Sequence, residues 1–300
     1  MTEQEKALIA AWSDHSRMWK DNKWVYPVIS RRAGGLSIGV NLNPDHKCSF
    51  ACAYCQSGPQ EGHPSVPVNV DEVEKELRQF VLFYESGEFA KCDFFGKVAD
   101  DKKIIKDLCL SGDGESTIVK EFAEVCRRMR AIQQEYQARH VGSTDPLNPA
   151  SFKLRLITNA SQLGRDSVED ALSILLENDG EIWAKLDAGT EEWYKKVNRS
   201  AVKFDTILSN LEKAIKCHPI CIQTMLCSIK GEVPSDAEIK SYLQNLTRIY
   251  NACPEHFVEV QLYTVIRQTA TPDVLPLEKE FMETVAKKIT SKLPVKVRIF

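Results

Sequence analysis

The sequence lacks the features that would place the chain in a membrane or on a nucleic acid. None of its apolar runs approaches the length needed to cross a bilayer, and its start, Met-Thr-Glu-Gln-Glu-Lys, has no basic segment followed by an apolar stretch. The formal net charge is only -3, whereas a protein that grips a nucleic-acid backbone usually needs a basic surface. We therefore expect a cytoplasmic protein with neither a membrane nor a nucleic acid as partner.

The composition instead suits one sizeable α/β unit. The chain has 300 residues, 43% of them hydrophobic, and shows no internal repeat, low-complexity tract or clear linker. Its ten cysteines would suggest disulfides in a secreted protein, but without an export signal we expect reduced thiols. The segment 139–149, rich in Gly, Pro, Ser and Asp, is predicted as a surface loop.

Three of the cysteines fall within eight residues and form the most informative motif of the chain. Cys48, Cys52 and Cys55 have the spacing C-x3-C-x2-C. Thiolates this close on one loop cannot easily bond each other without strain, but each can give one bond to a soft metal centre. An iron-sulfur cube held by three thiolates keeps one iron open to another molecule, which makes that iron a reaction site. A zinc site completed by His46 or His63 is the alternative.

The cysteine motif has two companions, the aromatic Tyr54 just before the third cysteine and a predicted strand over 36–42. Together they resemble the radical S-adenosylmethionine (radical SAM) superfamily. The resemblance implies that Cys48, Cys52 and Cys55 bind a 4Fe-4S cluster and that Tyr54 lies near the adenine of S-adenosylmethionine. In that superfamily the open iron binds the methionine amino and carboxylate groups, and an electron from the cluster yields a 5'-deoxyadenosyl radical that removes hydrogen from a substrate.

Apolar segments of strand length alternate with longer segments of helical period, which predicts a parallel sheet wrapped by helices. We predict strands over 36–42, 105–110, 152–158, 181–186, 219–229, 258–265 and 295–300. We predict helices over 70–85, 117–136, 167–176, 204–215 and 277–290, and one more that begins at a cap near Ser235. Asp71 is the predicted cap of the helix over 70–85. Six strand-helix units match the partial (β/α)6 TIM-like barrel that the resemblance implies for residues 34–300. In parallel barrels the carboxyl ends of the strands host chemistry, so polar residues there are the site candidates.

Residues 1–33 are predicted as an N-terminal helical extension. The apolar residues in it that could share one helical face are Leu8, Ile9, Trp12, Met18 and Trp19. We expect this face to cover an open edge of the barrel, with a contribution of its aromatic residues to substrate binding as the alternative.

The segment Ser111-Gly112-Asp113-Gly114-Glu115 follows the second predicted strand. Its glycines permit close approach by a ligand, and its carboxylates can accept hydrogen bonds from an ammonium group. The segment resembles the Gly-Gly-Glu motif that holds the methionine amino group in the superfamily, with Asp113 at the position of the second glycine. A tight turn with Glu115 near the positive end of the next helix is the alternative.

The third and fourth strands also end in polar residues. Asn159 and Ser161 can hydrogen-bond a ribose or carboxylate, and the resemblance implies cofactor contacts at this level; capping of the following turn is the alternative. Lys185 and Asp187 face the same side of their strand, so both need partners if that side is buried. We predict that Lys185 binds the cofactor carboxylate and Asp187 the ribose or the substrate, with a mutual ion pair as the alternative.

On the fifth and sixth strands Gln223 and Gln261 stand between apolar neighbours, so we expect them to point to the barrel interior. Gln223 and Arg267 are predicted to contact the cofactor, Arg267 through the cofactor carboxylate or instead through an anionic group of the substrate. Rim packing is the alternative for Tyr263 and Arg267. The segments 185–189 and 263–267 are similar to a group of radical SAM proteins without an assigned reaction.

The other cysteines do not predict a second cluster. Cys221 and Cys227 fall in one predicted strand, where an even separation puts them on one face about 20 Å apart by strand rise. Scattered cysteines such as Cys109 and Cys126 suit small buried apolar positions.

The resemblance thus predicts an enzyme that cleaves S-adenosylmethionine reductively and uses the adenosyl radical on a small-molecule or a peptide or protein substrate. A reductant such as flavodoxin or ferredoxin is implied as partner. An activating enzyme that installs a glycyl radical on a partner protein is one alternative. A non-catalytic protein is another, either an iron-sulfur electron carrier or a zinc module, although a carrier ordinarily wants a fully ligated cluster.

Overall fold

The computed structural model describes residues 1–13, 17–58, 62–92, 94–177, 179–266, 269 and 271–300. These residues form two compact units along the chain. The first unit comprises Met1–Pro44, Ser65–Arg155 and Asp170–Gly180, and the second comprises Asp45–Pro64, Leu156–Glu169 and Glu181–Phe300. Among the described residues, no helix is both long enough and apolar enough to cross a membrane.

The first unit is built on three strands covered by helices. Its elements in chain order are α1 (Glu3–Ser13), β1 (Val25–Ser30), β2 (Gly35–Val40), α2 (Val70–Glu85), α3 (Asp100–Lys103), β3 (Ile105–Leu110) and α4 (Phe122–Arg139). Strand β1 runs antiparallel to β2, which runs parallel to β3. Helix α2 buries Val73, Leu77, Phe80 and Tyr84, the spacing of one helical face.

Two elements are divided between the units. They are β4 (Lys153–Thr158) and α5 (Asp166–Leu175).

The second unit repeats the strand-helix alternation. Its elements are β5 (Glu181–Lys185), α6 (Glu191–Val197), α7 (Phe204–Ala214), β6 (Ile220–Met225), β7 (Cys227–Ile229), α8 (Asp236–Ala252), β8 (Phe257–Tyr263), β9 (Val274–Pro276), α9 (Lys279–Lys292) and β10 (Val297–Ile299). Strands β5, β6, β8 and β10 are neighbours in that order and pair in parallel. All six residues of β6 are buried, so this strand lies in the interior of the unit. The predicted α/β class is confirmed.

The N-terminal segment differs from its prediction. Helix α1 ends at Ser13, and Trp19 lies outside it, packed against Phe80 with ring centroids 5.4 Å apart. Residues 25–30 form a strand that the sequence did not predict. Pro27 has no amide hydrogen, and a central strand would need one at this position. The position of β1 at the end of the sheet order explains why proline is tolerated there. The domain boundary at residue 34 stays a prediction.

The predicted strand over 219–229 is wrong as a single element. It is two strands, β6 and β7, and β7 pairs antiparallel with β9 in a separate sheet. Strand β6 pairs with β8, and β8 ends at Tyr263. The last hydrogen bond to β8 runs from Leu226 N to Tyr263 O at 2.9 Å, and after it the chain leaves that sheet. The expected alignment of Cys221 and Cys227 on one straight strand is therefore wrong.

Smaller corrections concern helix starts. The cap of α2 is Asn69, whose side chain accepts from Glu72 N at 3.2 Å, and not Asp71. Helix α4 begins at Phe122, after a 3-10 turn over Ser116–Ile118, and not at residue 117. Ser235 caps α8 as predicted, since its Oγ accepts from Glu238 N at 3.2 Å.

Candidate cluster and cofactor site

The cysteine loop belongs to the second unit, where its backbone is held by the end of α6. Ala51 N donates to Asn198 O at 3.1 Å and Ala53 N donates to Val197 O at 2.8 Å. Ser200 Oγ donates to the carbonyl of Ser49 at 2.8 Å. The loop is therefore ordered by backbone hydrogen bonds that do not involve the thiols.

The thiols themselves receive hydrogen bonds from nitrogen donors. Cys48 Sγ accepts from Phe50 N at 3.4 Å and from Asn159 Nδ2 at 3.5 Å. Cys52 Sγ accepts from Asn198 Nδ2 at 3.4 Å. Donors of this kind stabilise negative charge on sulfur, and hydrogen bonds to the sulfurs are one of the ways in which a protein sets the potential of an iron-sulfur cluster.

The titration of Cys52 is shifted by its surroundings. Burial, together with the nearby carboxylate of Asp187, raises the pKa of Cys52 to about 11, although hydrogen bonds from Asn198 and Tyr54 act in the opposite direction. At neutral pH the side chain is therefore a thiol, and binding to a metal would release its proton.

The structure has all ten cysteines outside disulfides. Within the described ranges, no group of three or more His, Cys, Asp or Glu side chains is arranged to hold a metal ion. His46 and His63, the histidines of the zinc alternative, stack on each other with ring centroids 3.8 Å apart. The fit of the loop to a cluster thus rests on its donor set, three thiols on a backbone-anchored loop with amide donors at two of the sulfurs.

Asp187 joins the cysteine loop to the ends of the strands. Its Oδ1 accepts from Met225 N at 2.8 Å and from Lys185 Nζ at 2.8 Å, and its Oδ2 accepts from Tyr54 Oη at 2.5 Å and from Asn198 Nδ2 at 2.8 Å. A carboxylate offers about four lone-pair positions, and these four donors fill them. With a side chain that is 0% exposed, Asp187 acts as a positioning residue for the loop, and its predicted contact with ribose or substrate stays a prediction.

Lys185 pairs with Asp187, so the predicted alternative of a mutual ion pair is present. Its ammonium also donates to Tyr263 Oη and lies 5.0 Å from the ring centroid of Tyr54 and 4.5 Å from that of Tyr263. Burial alone would lower the pKa of Lys185, but the carboxylate of Asp187 and the hydroxyl of Tyr263 raise it above its ordinary value. Lys185 is therefore a fixed positive charge beside the cysteine loop.

Asn159 and Ser161 both contact the cysteine loop. Asn159 Nδ2 donates to Ser49 Oγ at 2.9 Å, and the hydroxyls of Ser161 and Ser49 are 2.7 Å apart. Ser161 N donates to Asn159 Oδ1 at 3.0 Å, which is the turn capping that we considered as the alternative. Cofactor binding by these residues stays a prediction, as it does for Gln223, whose buried side chain donates to Gln261 Oε1 at 2.8 Å. Arg267 lies outside the described residues.

The Gly112–Glu115 segment belongs to the first unit and is held there by Asn41. Asn41 Nδ2 donates to Asp113 Oδ2 at 2.6 Å, and Asp113 N donates to Asn41 Oδ1 at 3.2 Å. A Cβ added to Gly112 would lie 2.5 Å from Asn41 Cγ, so this position requires glycine. Asp113, which replaces the second glycine of the motif, forms an ion pair with Arg17.

Glu115 is 2% exposed, and its Oε1 accepts from Thr117 N at 3.2 Å and from Thr117 Oγ1 at 2.5 Å. Glu115 therefore caps the 3-10 turn over Ser116–Ile118, whereas the alternative from the sequence placed it near the positive end of the next helix, which begins only at Phe122. Binding of the cofactor amino group by Gly112, Asp113, Gly114 and Glu115 stays a prediction.

Sequence reasoning missed Asn198, Asn41 and Arg17. Asn198 follows α6, a helix that was not predicted, and its role depends on contacts with residues more than 140 positions away in the chain, such as Cys52. Asn41 carried a weak signal, since it is a polar residue at the end of β2, where the carboxyl ends of strands are expected to be functional.

Sequence comparison finds two partial relatives. No protein-family model matches the chain. A GTPase Obg from Brachyspira hyodysenteriae is 23% identical over 278 residues, and a UPF0026 protein from Synechocystis sp. is 23% identical over 195 residues. These matches cover 91% and 63% of this chain but only 34% and 58% of the two proteins, so the chain spans about a third and little more than half of their lengths.

Solved structures of radical SAM enzymes are similar over most of the chain. A radical SAM methyltransferase from Sphaerobacter thermophilus has a TM-score of 0.58 at 12% identity, covering 92% of this chain and 68% of its own. TYW1 with a lysine-pyruvate adduct has a TM-score of 0.55 at 14% identity, covering 95% and 80%. Streptococcus suis SuiB bound to S-adenosylmethionine has a TM-score of 0.52 at 12% identity, covering 90% and 52%. The chain has the fold of the radical SAM enzymes, and the predicted fold class is confirmed.

Proposed function

We propose that the protein is a radical SAM enzyme that holds a 4Fe-4S cluster on Cys48, Cys52 and Cys55 and binds S-adenosylmethionine. The single observation that carries the proposal is the C-x3-C-x2-C loop, which is held by backbone hydrogen bonds within a chain of this fold. When bound, the cluster supplies the electron that cleaves S-adenosylmethionine to a 5'-deoxyadenosyl radical.

The residues around the loop support this chemistry in distinct ways. Asn198 donates to Cys52 Sγ and also to Asp187, so one amide positions both a ligand and the carboxylate that anchors Tyr54. Lys185 supplies a buried positive charge, to which the carboxylate of a cofactor would be attracted. The hydrogen abstracted by the radical comes from a small-molecule or a peptide or protein substrate, and a cytoplasmic location with a reductant such as flavodoxin or ferredoxin belongs to the same proposal.

The test begins with anaerobic reconstitution with iron and sulfide. We expect about four irons per chain in the wild-type protein and loss of the cluster absorbance when Cys48, Cys52 or Cys55 is replaced by Ala. Cys217→Ala is the matched control, because Cys217 is an exposed thiol away from the loop. A wild-type protein that stays colourless and takes up zinc stoichiometrically would contradict the proposal.

A second measurement separates catalysis from electron transfer. The reduced cluster should change its electron paramagnetic resonance spectrum on addition of S-adenosylmethionine, and dithionite should yield 5'-deoxyadenosine. An unchanged spectrum with no 5'-deoxyadenosine would support an electron carrier instead. Metabolite pools and candidate proteins can then be screened for those that increase the yield of 5'-deoxyadenosine, which identifies the substrate class.

A further inference from the structure

Three polar side chains form one row across the second unit. Lys185 on β5 is the register partner of Gln223 on β6, and Gln223 is the register partner of Gln261 on β8. Side chains at the same level of neighbouring parallel strands point to the same face of the sheet. Gln223 and Gln261 are both 0% exposed, so each polar atom of these two amides needs a partner inside the protein.

The direction of the hydrogen bonds in this row is set at one end by Glu259. Arg298 Nε donates to Glu259 Oε1 at 3.0 Å and to Oε2 at 2.9 Å. Although burial opposes it, hydrogen bonds from Arg298 and Gln261 hold the pKa of Glu259 below its ordinary value. An ionised carboxylate only accepts, so Gln261 must turn its Nε2 toward Glu259, and the two atoms are 2.7 Å apart.

The orientation of Gln261 then determines that of Gln223. With Nε2 committed to Glu259, Gln261 presents its Oε1 to Gln223, which must donate its own Nε2, at 2.8 Å. Turning either amide around would place two donors or two acceptors face to face. The carboxylate of Glu259 therefore fixes the polarity of an amide two side chains away.

The hydrogen bonds from Gln261 to Glu259 and from Gln223 to Gln261 form a relay, and its last polar atom is Gln223 Oε1. It is a buried acceptor with no hydrogen-bond partner among the residues that the structure describes. The nearest ammonium in the row, that of Lys185, is directed to Asp187 and Tyr263. Buried acceptors are almost always satisfied in folded proteins, so a donor from outside the protein is expected at this atom.

We propose that Gln223 Oε1 accepts a hydrogen bond from a hydroxyl or amino group of the bound nucleoside cofactor, and that Glu259 and Gln261 are positioning residues that keep this acceptor turned away from Gln261. The proposal rests on the proposed function, since S-adenosylmethionine is the ligand. Because the amide cannot rotate without breaking the relay, the position should select groups that donate and reject groups that only accept.

The experiment measures the dissociation constant of S-adenosylmethionine for the reconstituted protein, together with urea unfolding of the ligand-free protein. Gln223→Met keeps the length of the side chain and removes its polar atoms, and Gln134→Met on the exposed face of α4 is the matched control. We expect Gln223→Met to weaken binding about tenfold, the value of one hydrogen bond. The ligand-free unfolding midpoint should change little, because the variant leaves Gln261 Oε1 without its donor but also removes the buried, unpartnered Oε1 of Gln223. Glu259→Gln frees the relay to reverse, and we expect a weakening of severalfold.

A second arm changes the ligand. Analogues of S-adenosylmethionine that lack the 2'-hydroxyl, the 3'-hydroxyl or the adenine amino group are bound to the wild-type protein and to Gln223→Met. One analogue should bind the wild-type protein about tenfold more weakly than S-adenosylmethionine, and this difference should vanish in the variant. Equal affinity of the wild-type protein and Gln223→Met for S-adenosylmethionine would overturn the inference, as would a cofactor-bound crystal structure with only an ordered water at Oε1. A wild-type protein with no affinity for S-adenosylmethionine would overturn the proposed function itself.

Discussion

The ion pair of Lys185 and Asp187 gives the sharpest prediction for stability. Asp187→Asn removes the carboxylate charge that balances the ammonium of Lys185. The amide that replaces it turns a donor toward groups that themselves donate. The two side chains are 12% and 0% exposed, so solvent cannot compensate. Removal of one partner of a buried ion pair costs about 3–5 kcal/mol, and we expect the free energy of unfolding to fall by that amount.

The double variant Lys185→Met, Asp187→Asn tests the reason for the loss. Since no unbalanced charge then remains, we expect it to recover at least about half of the stability lost by Asp187→Asn. Urea unfolding of the metal-free protein, followed by tryptophan fluorescence, measures both. The control is Asp205→Asn, whose carboxylate is 81% exposed and 3.5 Å from Arg248, and we expect no measurable change there. A loss below about 1 kcal/mol for Asp187→Asn, or no recovery in the double variant, would refute the reasoning.

Three further predictions each concern one residue. Gly189→Ala should lower the free energy of unfolding in urea by about 2 kcal/mol or more, because the added Cβ would collide with the backbone nitrogen of Tyr242 in α8. Gly96→Ala is the control and should cost less, because a Cβ there would lie 3.2 Å from its nearest neighbour, Ala90 O. Asn198→Ala should shift the reduction potential of the reconstituted cluster measured by redox titration, because Cys52 loses a hydrogen-bond donor; an unchanged potential would argue against this contact. Burial raises the pKa of Tyr84 to about 12 in the folded protein. The stabilisation linked to its protonated form is therefore complete below pH 10, where the unfolded side chain is also protonated, and is lost as the pH rises from 10 to about 12. The free energy of unfolding in urea should differ less between pH 9 and pH 11 in Tyr84→Phe than in the wild-type protein.

Local sequence patterns predicted the elements that repeat a simple period. The apolar spacing of Val73, Leu77 and Phe80 indicated α2 over 70–85, and the structure has the same bounds. The strand over 105–110 was likewise predicted to the residue. These segments are determined by which of their own side chains must be buried, and that information is local.

The misses have non-local causes. The break between β6 and β7 depends on where β8 ends, and β1 depends on an edge position that makes Pro27 harmless. Trp19 was assigned to a helix because its spacing fits one, but its ring packs on α2 instead. Each outcome is decided by a partner far away in the sequence, which periodicity cannot reveal.

The candidate site divides in the same way. The sequence alone indicated that Lys185 and Asp187 share a face and that Gln223 and Gln261 point inward, because alternation along a strand is a local property. The partners that fix the polarity of these groups emerged only from the structure. Asn198 follows α6 and is not part of a strand, and Glu259 acts on Gln223 of the neighbouring strand through Gln261, its own neighbour on β8.

The anchoring of the cysteine loop to the last turn of α6 has a consequence for biogenesis. The peptide amides of Ala51 and Ala53 donate to carbonyl groups at the end of α6, so these two anchors of the loop do not involve its sulfurs. We therefore expect a cluster to be inserted into a loop that is already folded, in contrast to zinc fingers, which remain unfolded until their ion binds. Chelation or oxidative loss of iron should accordingly leave a folded apoprotein that can be refilled without passing through a denatured chain.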